Sequence, residues 1–94
     1  MKAIHFKWDN TKSIANEKKH GISFQEAFTV FSDELAIEFY DNKHSDWEDR
    51  FLLLGLSNKL NMLLVCYCYR ETERVIRIIS ARKATKNESK YYKR

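Results

Sequence analysis

Three basic residues, Arg77, Arg82 and Lys83, fall within the stretch Arg77-Ile78-Ile79-Ser80-Ala81-Arg82-Lys83-Ala84-Thr85. The apolar, β-branched run predicts a strand over 75–80, with two bases following as it ends. Thr85-Lys86-Asn87-Glu88 then has the Thr-x-x-Glu pattern of a capping box and opens a helix. A rigid strand end carrying guanidinium groups suits a phosphate-bearing ligand, because arginine can grip phosphate with two parallel hydrogen bonds. The bland alternative is that these cations are solvated edge charges. A second cluster, His44-Ser45-x-x-Glu48-x-Arg50, sets an imidazole, a carboxylate and a guanidinium just before another strand. Such a set can do acid–base work on a phosphodiester, or it can be a Glu48–Arg50 ion pair with His44 exposed. His20 is a further proton-handling candidate, though the helix dipole alone explains Lys18, Lys19 and His20 in a last helical turn.

The composition narrows the field. Apolar residues make up 44% of the 94, enough for a core, so the expectation is one globular domain over 1–94. No apolar run approaches the roughly 20 residues of a membrane helix, and 1–7 has no apolar signal core, so a soluble cytoplasmic protein is expected. Cys66 and Cys68 lie two apart on one strand face, poor geometry for a mutual disulfide, and match no metal-ligand spacing with His5, His20 or His44. Buried reduced thiols, no metal and no cofactor are expected. The net charge of +4 is unevenly spread. Residues 70–94 hold nine Lys or Arg against three Glu, whereas 33–49 hold seven acids against Lys43 alone. A basic C-terminal third points to a polyanion, of which nucleic acid is the commonest. The acidic middle reads as a solubilising loop or as an anchor for a basic partner, and Trp47 within it is a candidate contact.

The elements that must position these residues follow from local pattern. Residues 3–8 alternate as a half-buried strand, with Trp8 a buried anchor. Asp9 caps a helix from Asn10 to about Lys19, which Gly21 ends. Ser23-Phe24-Gln25-Glu26 is another capping box, opening a core helix through about Phe31. Strands are expected at 35–40, 50–56, 62–69 and 75–80, with 62–69 apolar on both faces as a central strand. Short connections make these strands an antiparallel meander. The order is β-α-α-β-β-β-β-α, an α+β fold with two N-terminal helices packed on one face and a short C-terminal helix. Tyr67 and Tyr69 read as core, or as stacking platforms at a strand end. Of Tyr91 and Tyr92, one is expected to pack inward.

Three blocks, in order and spanning nearly the whole chain, carry a family resemblance. Phe6-x-Trp8-Asp9-x-x-Lys12-x-x-x-Asn16-x-x-Lys19-His20-Gly21-Ile22-Ser23-Phe24 resembles the opening signature of the BrnT-like toxins. His44-Ser45-x-x-Glu48-x-Arg50-Phe51, followed by Gly55, resembles their middle block. Arg77-Ile78-Ile79-Ser80-Ala81-Arg82-x-Ala84-Thr85-x-x-Glu88, with Tyr91 or Tyr92 after it, resembles their closing block. The resemblance implies a RelE-like fold and a toxin of a type II toxin–antitoxin pair that arrests growth by cleaving RNA. It also implies neutralisation by a BrnA-like ribbon-helix-helix antitoxin in a heterotetramer that binds operator DNA only through the antitoxin. One departure is the closing helix, Glu88-Ser89-Lys90-Tyr91-Tyr92, where the family often adds arginine; Lys90, Lys93 and Arg94 partly compensate.

The reading is therefore a metal-independent endoribonuclease. Its catalytic candidates are His20, Glu48, Arg50, Arg77 and Arg82, and its RNA-binding candidates Lys19, Lys83, Lys86 and Lys90. The rivals are a non-catalytic module whose basic face docks the antitoxin or operator DNA, and a toxin acting on DNA gyrase.

Overall fold

The computed structural model describes residues 4–70, 72 and 74–92; Lys93 and Arg94, offered above as compensating bases, lie outside the described residues. Strand β1 (His5–Lys7) leads into helix α1 (Asn10–His20). The Asp9 side chain accepts from the Lys12 amide at 3.2 Å, and Gly21, at φ 76°, donates its amide to Glu17 to close the helix. Helix α2 (Phe24–Thr29) starts on Ser23, whose hydroxyl accepts from the Glu26 amide. It stops earlier than expected and tightens into a 3-10 turn over Val30–Ser32. That tightening sets Val30 and Asp33 directly over the sheet. A Cβ on Gly55 would lie 2.9 Å from both Val30 Cγ1 and Ala36 Cβ, so only glycine fits beneath the turn.

Strands β2 (Ile37–Tyr40), β3 (Arg50–Leu56), β4 (Met62–Arg70) and β5 (Val75–Lys83) form the expected antiparallel meander. The sheet order is β1-β5-β4-β3-β2, and β1 joins β5 in parallel. A three-residue strand followed at once by a helix cannot turn back on itself, so its partner comes from the far end of the chain. Strand β5 runs three residues beyond the expected end because β4 pairs with it as far as Leu63–Lys83. Arg82 and Lys83 therefore belong to the strand rather than to a loop after it.

Strand β5 is not regular throughout. Cys66 pairs with Ser80 but Tyr67 pairs with Ile78, which leaves Ile79 as the extra residue of a bulge. Residues five apart on a regular strand point to opposite faces. With the bulge, Arg77 opposite Cys68 and Arg82 opposite Leu64 share one face.

The core lies between the sheet and α2. It joins Ile22, Phe24, Ala27 and Val30 to Leu53, Leu63, Val65, Tyr67, Ile76, Ile78 and Ala81. Trp8 is half-buried against it, its ring 6.2 Å from Phe28. Asn16 fastens α1 to the sheet: its side-chain amide donates to the Ile22 and Ala81 carbonyls at 2.8 Å and accepts from the Ala81 amide at 3.2 Å. The carboxamide thus continues the edge of β5 beyond the end of β1. Helix α3 (Lys86–Ser89) closes the opposite side. The Tyr91 ring meets Phe39 edge-on at 5.8 Å, while the half-buried Tyr92 donates its hydroxyl to Asp33 at 2.7 Å. Cys66 and Cys68 are free and buried. No helix among the described residues is long and apolar enough to cross a membrane.

Candidate active site

On the sheet face away from α2, the end of α1, the loop after β2, and the strands β3, β4 and β5 surround a cleft of about 590 Å³. Lys19 and His20 reach it because Gly21 ends α1 there. Arg50 enters from the first residue of β3, and Arg82 from β5, on the face assigned by the bulge. Lys43 and His44 come from a 3-10 turn over Asn42–His44. The floor is Leu52, Leu64 and Cys66. An apolar floor ringed by cations and two imidazoles suits an anion that must exchange protons.

Of the residues singled out in the sequence, Lys19, His20, His44, Arg50 and Arg82 line this one cleft. The others lie elsewhere. Arg77 shares the face but flanks separate depressions, one beside Trp8 and Asp9 and another beside Arg70. Glu48 accepts from Arg50 Nε at 3.4 Å and pairs with Arg70 at 2.9 Å, and it lines a neighbouring groove with Glu38, Asp49 and Tyr69. This is the ion-pair arrangement weighed above for Glu48 and Arg50. Lys83 pairs opposite Leu63 and so sits on the α2 side of the sheet, while Lys86 and Lys90 are exposed on α3 and just after it. Trp47 is 98% exposed.

Two features of the cleft escaped the sequence reading. Arg82 is held by Glu88, with two bonds of 2.8 Å from its guanidinium to the two carboxylate oxygens. Glu88 also accepts from the Thr85 amide, so one residue both caps α3 and orients the arginine. The Arg82 guanidinium, helped by that amide and against the cost of desolvation, holds the Glu88 carboxyl down to about 2. The same pairing raises the arginine, outweighing its desolvation. The second missed feature is Asp41, a buried residue whose Oδ2 lies 2.9 Å from His44 Nδ1. Their three-residue spacing carries a signal only once a 3-10 turn is known, since i and i+3 eclipse there. Burial, and the nearby Asp41 charge, push the Cys66 thiol up to about 11, so it stays protonated near neutral pH and is no nucleophile. Among the described residues, no group of three or more His, Cys, Asp or Glu side chains converges as a set of metal donors.

A five-stranded α+β sheet thus presents a cationic cleft with two imidazoles, an arrangement suited to an anionic ligand. The family model described as "Ribonuclease toxin, BrnT, of type II toxin-antitoxin system" matches residues 8–88, and the chain belongs to that family. A similar solved structure is that of the Brucella abortus ribonuclease toxin BrnT, 26% identical with a TM-score of 0.62, over 92% of this chain and 99% of that one. Among curated proteins none matches. Membership in a type II toxin family implies an antitoxin partner.

Proposed function

We propose that the chain is a single toxin domain that cleaves RNA endonucleolytically in the cytoplasm, without a metal, and so arrests growth. The observation that carries this reading is the grouping of Lys19, His20, Lys43, His44, Arg50 and Arg82 around one cleft in a member of a ribonuclease toxin family. Arg50 and Arg82 hold the scissile phosphate and stabilise its extra charge in the transition state. Lys19 and Lys43 add local positive potential. His20 protonates the leaving 5′ oxygen. Arg77, Lys86 and Lys90, outside the cleft, hold flanking phosphates; Lys83, on the other face, contributes only to the overall field. A ribbon-helix-helix antitoxin of the BrnA type, in a heterotetramer, would neutralise the toxin and carry the complex to operator DNA. The RelE-like kinship belongs to the same proposal.

The test is incubation of the purified protein with RNA in the presence of a chelator. Fragments ending in 2′,3′-cyclic phosphate are expected, with His20→Ala and Arg50→Ala slower by about 10²-fold each. Intact RNA in a salt-sensitive complex would instead make the protein a binding module. Growth arrest with RNA untouched would redirect attention to gyrase.

A further inference from the structure

Transesterification of RNA needs two proton transfers, one from the attacking 2′-hydroxyl and one to the departing 5′ oxygen. The ribonuclease reading, on which this inference rests, assigns His20 to the second, while Glu48 lies outside the cleft and is engaged by Arg50 and Arg70. The first transfer needs another group, and the loop after β2 supplies one. Asp41 begins the turn over Asn42–His44, where an aspartate ordinarily caps free amides with its side chain. Here it makes no such bond. The turn is held by other atoms: the Asp41 amide donates to the Arg50 carbonyl at 2.9 Å, and the Asp41 carbonyl accepts from the Ser45 hydroxyl at 2.5 Å. The carboxylate is left for His44, at 2.9 Å, and for a weak contact of 3.9 Å from the Cys66 thiol. It is buried, whereas the imidazole it holds is 63% exposed at the cleft.

We infer that Asp41 is a positioning residue that makes His44 the base of the reaction. An ionised carboxylate can only accept, so the proton of neutral His44 sits on Nδ1 and the lone pair on Nε2. Nε2 takes the 2′-hydroxyl proton as that oxygen bonds to phosphorus. The bond from phosphorus to the 5′ oxygen breaks, and that oxygen takes a proton from protonated His20. The products are a 2′,3′-cyclic phosphate and a 5′-hydroxyl, and each imidazole then recovers its starting state by exchange with water. The charged and titratable groups that share the cleft with His44 include Lys43 beside it, Arg50 on β3, and Lys19 and His20 on α1. Arg82 is offset by Glu88. Asp41 supplies the negative charge adjacent to His44 itself.

The experiment combines ¹⁵N spectra of the histidine rings with single-turnover cleavage of an RNA oligonucleotide. Wild-type His44 is expected as the Nδ1-H tautomer, moving toward Nε2-H in Asp41→Asn. His44→Gln and Asp41→Asn should each slow cleavage by about 10²-fold with substrate affinity kept within about threefold. His44→Gln should also abolish the fall in rate at acid pH, and the double variant should be no slower than His44→Gln alone. Neither the wild-type spectrum nor the His44→Gln kinetics depends on Asp41→Asn folding. An Nε2-H tautomer in the wild type, or a His44→Gln protein with unchanged rate and pH profile, overturns the inference while the ribonuclease reading stands. A wild-type protein that leaves RNA intact overturns both.

Discussion

Asn16 and His44 illustrate two fates of polar residues in the motif blocks. Asn16 lies in the opening block, yet its three bonds go to the backbone of Ile22 and Ala81. It is buried, so its work is to join α1 to β5 and thereby fix Lys19 and His20 at the cleft. Asn16→Ala should leave buried carbonyls unpaired and lower stability by roughly 3 kcal/mol, measured by urea denaturation. An unchanged midpoint would mean that water replaces the carboxamide. His44 is the converse case: spacing alone left it between an exposed loop residue and a reactive one. The difference lies in Asp41, which is enclosed by Arg50 of β3 and by Cys66 of β4, the latter 25 residues away in sequence. Short-range pattern carries no record of such a contact, nor of the reach from Arg82 to Glu88 six residues on.

At the level of elements, the helix starts and the end of α1 were legible because caps are local, whereas the early end of α2 was not. Asp9, Gly21, Ser23 and Thr85 each act within four residues of themselves. The meander was legible for the same reason, through short connections. The parallel pairing of β1 with β5, and the three extra residues of β5, were not, since both depend on a partner strand. Helix α3 is the element most exposed to a change of conditions. Arg82 holds it at Glu88, and Asp33 holds the chain after it through Tyr92. Burial raises Asp33, but bonds from the Leu56 amide, the Tyr92 hydroxyl and the Leu35 amide together bring it below the usual carboxylate range. Both acids are depressed in the folded state, so their stabilisation is full above the unfolded value of about 4 and lost as the pH falls through the folded one. Between about pH 5 and about pH 2, the ring-shifted resonances of Phe39 and Tyr91 should therefore move toward random-coil positions before the β4 amides exchange. Simultaneous loss of both would show that α3 is not a separate unit.

Across the whole molecule, the lopsided charge of the sequence is redistributed in space. The cations of the cleft come from α1, the loop after β2, β3 and β5, so the basic C-terminal third supplies only Arg82 to it. Lys43, the lone base of the acidic stretch, faces the same cleft. Under the proposed function, Arg82 is already offset by Glu88 and Arg50 by Glu48, so Lys19 and Lys43 at the cleft, with Arg77, Lys86 and Lys90 outside it, are the cations that displace counterions from the phosphate backbone. The logarithm of RNA affinity should then fall with the logarithm of salt concentration at a slope of about −3.5, readable by fluorescence anisotropy on a non-cleavable oligonucleotide. A slope near zero would mean that binding does not rest on these charges.

The extra residue at Ile79 has a consequence for how such a chain can change. Smoothing the bulge with every residue kept would restore strict alternation from Arg77 onward, turning Arg82 inward against the apolar interior and bringing Lys83 out in its stead. No residue would have been replaced, yet the proposed grip on phosphate would pass from a forked cation to a point charge. Deleting Ile79 does the opposite: Arg77 and Arg82 become four apart on a regular strand and keep the same face, so the identity of the ligand-holding group depends on the kink only for as long as the extra residue is present.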